Sequence, residues 1–436
     1  MLFDTIKIGN LRLENRIVMP AMGMGFANAD GSVSDKMLAY YGRRAQSRPG
    51  LIVVEVAAVD PVHRGLHQPT IGDDRFIGGL AQLAQTIKQY DVKVAIQVQH
   101  PGRLLRDAPA TVKVIGPSPI AYKNFPVPHE PSISEVEDLV EKFAEGVRRA
   151  RDAGFDAVEI HAAHGYLIAQ FLSAFSNKRK DKYGGDVYGR STFAREIIAR
   201  ARQKVGNDYP LIFRFCGDEF HEEGRGIEES KVLARIIENE GVDALSVSGG
   251  VATGSEWTIQ PMTLPRGCLV HLSAEVKKVV HVPVAVAGRI HTRKLAEEVL
   301  LEGKADLICM GRPMLADPDL TDKIRKGQDK QIIHCLSCDT CITGSPRVCV
   351  LNPELGREGQ VEAQASVAKR VLVVNGGPAG IEAARVAAMR GHHVTLWDEK
   401  ASLGGRWSWL IKPYITNRLK MLAQLGVVVK LGKDIT

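Results

Sequence analysis

Long apolar runs are missing from this chain. The longest, LIVVEVAAV from Leu51, is broken by Glu55 and falls far short of the roughly 20 residues that a membrane helix needs. The N-terminus, MLFDTIKIGNLRLENR, has no basic stretch followed by an apolar one, so it does not read as a secretory leader. Blocks of like charge are missing too. A formal net charge of +7 is spread over 436 residues, which leaves no nucleic-acid module to argue for but suits anionic cofactors or substrates. Cysteine is scarce: seven in all, an odd number, with Cys216, Cys268 and Cys309 standing alone. That excludes a secreted disulfide framework and points to a reducing, cytoplasmic compartment. Neither a fixed-period repeat nor a low-complexity segment occurs.

The remaining four cysteines are crowded together. Cys335, Cys338, Cys341 and Cys349 fall within IHCLSCDTCITGSPRVCVLNP, which starts at Ile333. Three thiolates at two-residue intervals, with a fourth further on, are a ligand set for a [4Fe-4S] cluster. A structural zinc ion is the alternative, although zinc sites usually show two spaced cysteine pairs.

Between about residues 16 and 330, short apolar runs alternate with amphipathic stretches. The runs are RIVMPAM, LIVVEVAAV, KVAIQVQH, DAVEIHAAH, LIFRFCGD, ALSVSGG, PVAVAGR and ADLICMGR. They are too continuously apolar for half-exposed strands and fit parallel strands buried on both faces. The clearest helix is predicted from Ser134, where Ser134 and Glu137 have capping-box spacing. Val136, Leu139, Val140, Phe143, Val147 and Ala150 then recur at helical steps, and Gly154 supplies a left-handed stop. Eight strand–helix alternations predict a (β/α)8 barrel over residues 1–330, with a doubly wound open sheet as the alternative. A helix is expected around Pro318–Arg325, followed by the cysteine segment over 331–353 and a loose, aperiodic linker over 354–369.

From Arg370 a different pattern begins. RVLVVNGGPAG reads as a strand entering a glycine turn, IEAARVAAMRG as a helix, and HHVTLWDEK as a second strand. This predicts the opening of a Rossmann-like βαβ unit over 370–436. Asn375 replaces the first glycine of the usual G-x-G-x-x-G, and asparagine is the next-best residue for positive φ. Gly377, Ala379 and Gly380 would let a pyrophosphate approach the helix N-terminus. Asp398, with Glu399 beside it, suits a ribose hydroxyl. Gly404–Gly405, followed by Arg406, is of the kind found in FAD-binding proteins. A nucleotide-free structural unit is the alternative. The closing LGVVVKLGKDIT reads as a strand leaving a helix, so the chain is expected to stop within this unit and to hold only the front of an FAD site.

The C-terminal ends of the apolar runs are where a barrel builds its catalytic rim. Gln97, Arg214, Gly249–Gly250, Gly288–Arg289 and Gly311–Arg312 lie there, and the two Gly-Arg pairs on the last two runs suit a phosphate. EIHAAHGYLIAQFLS, from Glu159, puts His161, His164 and Tyr166 at another such end. That is an unusual density of proton-handling groups.

Several of these stretches carry a family likeness. LRLENRIVMPAM, IQVQHPGR, HAAHGYLIAQFLS, NKRKDKYGG and ADLICMGRPMLADPDL resemble the old yellow enzyme family of FMN barrels. The cysteine segment followed by NP and NGGPAG resembles that family's larger iron–sulfur branch, which includes 2,4-dienoyl-CoA reductase, 2-enoate reductases and trimethylamine dehydrogenase. The resemblance implies that Ala21, Met22, Ala57, Gln97, Arg214, Gly250, Gly288, Arg289, Gly311 and Arg312 hold FMN. It implies that His161 and His164 bind a substrate carbonyl oxygen, that Tyr166 donates a proton, and that the four cysteines carry the cluster. Electrons would come from NAD(P)H through FAD. The interval from Cys341 to Cys349 is shorter than the family usually has.

The activity so implied is an ene reductase acting on a small enone, enoate or enoyl-CoA, with no nucleic-acid or membrane partner and with room for a homo-oligomer. Amine dehydrogenation or N-demethylation is the alternative. Against it, the first strand–loop, MPAMGMG, has no cysteine for the covalent flavin link of the trimethylamine enzyme, and His161 stands where that enzyme has a tyrosine. A non-catalytic electron-transfer flavoprotein is a third reading, which the group of His161, His164 and Tyr166 opposes.

Overall fold

The computed structural model describes residues 1–105, 111–251, 256–344, 347–360 and 363–432. Residues 361–362 of the expected linker and 433–436 of the expected terminal unit lie outside these. A hairpin of β1 (Ile6–Ile8) and β2 (Leu11–Leu13) opens the chain. Eight parallel strands then close into a barrel: β3 (Ile17–Met19), β4 (Leu51–Ala58), β5 (Lys93–Gln99), β6 (Ala157–Ala162), β7 (Leu211–Asp218), β8 (Ala244–Gly249), β9 (Val284–Val286) and β10 (Leu307–Cys309). Each of the eight apolar runs supplies one strand. Because β10 pairs with β3, the sheet has no edge, and the open-sheet alternative falls.

Strand alternation sorts the barrel into layers. Val18, Val53, Ala95, Ala157, Ile212 and Leu307 face inward and pack with Ile8 and Leu13 of the hairpin, which plugs the lower end. Their neighbours Ile17, Ile52, Val94, Val158 and Leu245 face outward under the helices. Both sets are buried, which is why the runs are continuously apolar. Two residues further along β5, β6, β7 and β8, the inward column turns polar at Gln97, Glu159, Arg214 and Ser246, all buried. These side chains form the floor beneath the upper rim.

The long helix Ile133–Asp152 starts two residues earlier than the sequence suggests. Its N-cap is Ser132, whose Oγ accepts from Glu135 N–H, while the Glu135 carboxylate accepts from Ser132 N–H. Ser134 and Glu137 have the same spacing but lie inside the first turn. The apolar stripe holds as predicted, and Gly154 has φ +81 just past the helix end. The helix expected near Pro318 spans Leu320–Arg325.

Beyond the barrel, β11 (Arg370–Val374), β12 (His393–Asp398) and β13 (Val428–Leu431) form a three-stranded parallel sheet in that order, with the helix Pro378–Met389 crossing between the first two. Ala316, Ile333 and Leu351 share one apolar cluster with Ile381, Leu396 and Tyr414 of this unit, so the cysteine segment is flanked by the joint between barrel and sheet. The stretch after Asn352 is not a loose linker. Leu355 is buried, and Glu358 pairs with the buried Arg44 of the helix Asp35–Ala45. Single anchors of this kind leave no periodicity to detect. Among the described residues no helix is long and apolar enough to cross a membrane.

Candidate active site

A cavity of about 300 Å³ opens over the polar floor, at the C-terminal ends of the strands. Ala21, Met22, Gln97, His161, His164, Tyr166, Arg214, Gly288, Arg289, Gly311 and Arg312 all line it, although they come from six different strand ends. Ala57 does not. It is buried in the layer between β4 and the helices, and its neighbour Val56 lines the cavity instead. A register shift between Val54 and Ala57 makes that alternation hard to count from sequence. Gly250 lies just off the cavity, with φ +90.

His161 sits at the end of β6, and its Nδ1 accepts from Ala163 N–H at 3.3 Å. The neutral ring therefore keeps its proton on Nε2. His164 is held in the left-handed region at φ +60, a conformation sparsely populated by non-glycine residues and often found at functional sites. Its Nε2 shares a hydrogen bond of 2.8 Å with Ser248 Oγ. The His161 ring centroid lies 5.1 Å from that of His164 and 5.0 Å from that of Tyr166. Tyr166 occupies the N-cap of the short helix Leu167–Leu172. Burial drives both imidazoles toward the neutral form. It takes His161 well below its ordinary value, with the charges of His164 and Arg214 adding to the effect, and His164 down to about 3, with Arg214 again adding.

Arg214 is buried, and its Nε and Nη1 have no hydrogen-bond partner among the described residues. Guanidinium donors are rarely left so, and here they border a cavity. Gln97 beside it donates to Glu159 Oε1, and burial raises the Glu159 carboxyl while the Arg214 charge opposes this. Gly288, also in the lining, has φ +145, and a Cβ there would come within 2.9 Å of the Leu269 Cβ. Arg289 and Arg312 lie next to it along the cavity wall. The arrangement fits FMN: unpartnered buried donors for a polar ring edge, and two arginines with tightly packed backbone for a phosphate.

Several lining residues are absent from the sequence-based set: Ser248, Thr258, Gln260, His291 and Arg347. Ser248 is the penultimate residue of β8, inside one of the apolar runs, and His291 lies five residues beyond β9, so only Ser248 carries a strand-end signal in the sequence. Arg347 lies in the loop between Cys341 and Cys349, and nothing in the sequence ties that loop to the barrel.

The four cysteines line one small cavity of their own, and Cys341 and Arg312 border both this cavity and the larger one. Among the described residues, the group of three or more metal-binding side chains whose ligand atoms all lie within 4.8 Å of one another is Asp60, His63 and His100, not the cysteines. Thiolates around one tetrahedral zinc, with bonds of about 2.3 Å, would stand roughly 3.8 Å apart. Among the described residues, no three of the four thiols come that close together. The Asp60 group is occupied otherwise. Lys142 Nζ lies 2.5 Å from Asp60 Oδ2. Gly102 N–H donates to His100 Nδ1, which puts the proton of the neutral His100 ring on Nε2, a donor rather than a ligand.

In the glycine turn after β11, Asn375 takes φ +84 as expected, and its side chain accepts from Gly377 N–H at 2.8 Å. Gly377 caps the helix Pro378–Met389. A Cβ on Gly380 would come within 1.8 Å of Asn375 O. Ala379 and Arg406 are exposed, and Gly405 opens a short 3-10 turn. Asp398 differs from its expected place on a ribose: its carboxylate accepts from Gly376 N–H at 2.6 Å and Lys400 N–H at 2.8 Å, so it holds the turn together.

Comparison with known proteins agrees with this geometry. The chain is 41% identical over 419 residues to an NADH oxidase of Thermoanaerobacter brockii, covering 93% of this chain and 64% of the relative. It is 35% identical over 435 residues to a cinnamate reductase of Clostridium sporogenes, covering 93% and 65%. The chain thus spans somewhat less than two thirds of these relatives' length. Among solved structures, a 2-naphthoyl-CoA reductase in complex with 2-naphthoyl-CoA superposes with a TM-score of 0.92 at 29% identity, covering 100% of this chain and 71% of that one. Histamine dehydrogenase from Rhizobium sp. 4-9 superposes with 0.88 at 25%, covering 100% and 66%. Residues 1–331 match the NADH:flavin oxidoreductase / NADH oxidase family, and with the closed barrel and its arginine-lined cavity in place, the chain belongs to that family of FMN-dependent oxidoreductases.

Proposed function

We propose that this chain is the FMN- and cluster-bearing part of an ene reductase, which reduces the C=C bond of an α,β-unsaturated carbonyl compound such as an enone, an enoate or an enoyl-CoA. One observation carries the reading. A buried and a half-buried imidazole, both driven toward the neutral form, and a tyrosine, with the His161 ring about 5 Å from each of the other two, share a cavity with the unpartnered donors of Arg214.

In this reading Gln97 and Arg214 take the polar edge of the flavin, Ala21 and Met22 meet its ring, and Arg289 and Arg312 take its phosphate. Bound there, FMN supplies a hydride to the substrate Cβ. Hydride addition builds negative charge on the carbonyl oxygen. His161 donates from Nε2 to that oxygen. His164 donates from Nδ1, with the Ser248 hydroxyl donating to its Nε2. Fixed donors in a site with little water stabilise such charge more than water does. Tyr166 delivers a proton to Cα, a contribution of roughly 10²–10⁴-fold. The cysteine intervals in sequence and the one small cavity that all four line support a [4Fe-4S] cluster on Cys335, Cys338, Cys341 and Cys349, with Cys341 bordering both cavities. The glycine turn at Gly377–Gly380 would hold the pyrophosphate of an FAD, which would supply electrons from NAD(P)H.

The test is anaerobic stopped-flow on flavin-loaded chain reduced with dithionite. Enones, enoates or enoyl-CoA should reoxidise it. Tyr166→Phe should leave dithionite reduction unchanged and slow reoxidation about 10²-fold or more. Normal reoxidation in the variant would remove Tyr166 from the role. Reduction of the oxidised flavin by tertiary amines, with no response to any enone, would turn the reading to amine oxidation.

A further inference from the structure

The two arginines at the phosphate end of the cavity are tied to the cysteine segment. Arg312 Nη1 donates to Asp339 Oδ1 at 2.5 Å, and Arg289 Nε donates to Ser337 Oγ at 3.2 Å. Ser337 lies between Cys335 and Cys338, and Asp339 between Cys338 and Cys341. Both sit in the left-handed region, at φ +54 and +60. Two such non-glycine residues within three positions are held only where the surroundings over-determine them. Arg312 also borders the cavity that the four thiols line. The thiol loop and the barrel therefore share one guanidinium wall.

We propose that the cysteine segment completes the flavin site: Asp339 and Ser337 are positioning residues that aim Arg312 and Arg289 at the FMN phosphate, so that FMN and the cluster bind cooperatively. This rests on the reading that those two arginines take the phosphate. A guanidinium offers five donors in a rigid plane. Fixing one edge on Asp339 or Ser337 sets the direction of the remaining donors and removes rotamer freedom before the anion arrives. The Asp339 charge opposes phosphate, but it lies in contact with the Arg312 charge, and the two largely cancel at the distance of the ligand. Orientation therefore outweighs repulsion. Iron removal frees the segment from its metal core, and both arginines lose their anchors. Linkage makes the effect mutual: whatever factor the cluster adds to FMN affinity, FMN adds to cluster retention.

Riboflavin, which carries the same ring without the phosphate, isolates the effect. Dissociation constants for FMN and riboflavin are measured by flavin fluorescence quenching on the flavin-free chain. This is done with the cluster intact, after iron removal with chelator and oxidant, and in Asp339→Ala, with iron determined in each case. The intact chain should prefer FMN. Iron removal, and Asp339→Ala with its iron retained, should each cut that preference about tenfold while leaving riboflavin affinity nearly constant. Asp339→Asn, which keeps an acceptor oxygen, should restore part of it. A preference that survives both iron removal and Asp339→Ala overturns the linkage. If Asp339→Ala loses riboflavin as well, Ser337→Ala decides by the same criterion. Equal affinity for FMN and riboflavin in the intact chain overturns the phosphate role of the arginines, and this inference with it, while the ene-reductase reading of His161, His164 and Tyr166 would stand.

Discussion

At the scale of single residues, the burial that keeps the catalytic imidazoles neutral also makes the fold acid-sensitive. Burial takes His100, His164 and His291 down to about 3 and His161 well below its ordinary value. Between about pH 6.5 and 4.5 all four are neutral when folded and protonated when unfolded, so unfolding takes up protons and stability falls as pH falls. Two carboxyls work the other way. Burial raises Glu55 to about 7 and also raises Glu159. In the folded state they hold protons that the unfolded chain releases above about 4.5, so they favour the fold as pH falls. The four imidazoles outnumber the two carboxyls, so unfolding takes up protons on balance and stability should drop as pH falls through this window. Urea midpoints at pH 6.5, 5.5 and 4.5 measure it. A flat or rising profile would mean that the imidazoles are not held neutral.

At the scale of elements, the helix Ile133–Asp152 gives a clean contrast between two serines. Ser132 Oγ caps Glu135 N–H, and Ser134 sits two residues further in, within the first turn. Ser132→Ala should cost about 1 kcal/mol, and Ser134→Ala should stay within about 0.5 kcal/mol. Equal effects in chemical denaturation would place the cap where the sequence first suggested it. Two S/T-x-x-E patterns overlap here, and Ser132 is the one whose backbone is extended at the cap, with ψ 167. The barrel itself was legible because strands buried on both faces leave unbroken apolar runs, and the rim residues were legible because they end those runs. His161, His164 and Tyr166 needed no long-range information, since one strand end carries all three. Ala57 was misplaced because β4 shifts register at Val54–Ala57, and period-two counting fails across a bulge. The turn contacts of Asp398, to Gly376 and Lys400 N–H, were not legible because an acid at a strand end serves a ribose or a turn equally well until the turn is seen.

At the scale of the whole molecule, contacts between segments distant in sequence left no trace in it, and they hold the parts together. Arg312 with Asp339 joins barrel to cysteine segment. Arg44 with Glu358 joins barrel to the stretch that follows. Arg44 is fully buried in the helix Asp35–Ala45, lies over the Tyr40 ring at 4.1 Å, and donates to Tyr40 O and to Glu358. Among the described residues its Nε and Nη2 have no partner, and Glu358 is its sole carboxylate within ion-pair distance. The other Glu358 oxygen accepts from Gly356 N–H at 2.8 Å. Removing one member of a buried ion pair strands the other and typically costs about 3–5 kcal/mol, whereas replacing both by apolar groups of similar size is often near neutral. Glu358→Ala should therefore lower barrel stability by roughly 3 kcal/mol, and Arg44→Met combined with Glu358→Leu should recover most of the loss. Urea unfolding followed by tryptophan fluorescence compares the three proteins. If Glu358→Ala unfolds with the unsubstituted chain, the segment after Asn352 is not part of the barrel's cooperative unit. If the double variant is as weak as the single, Glu358 acts through the Gly356 turn rather than through Arg44.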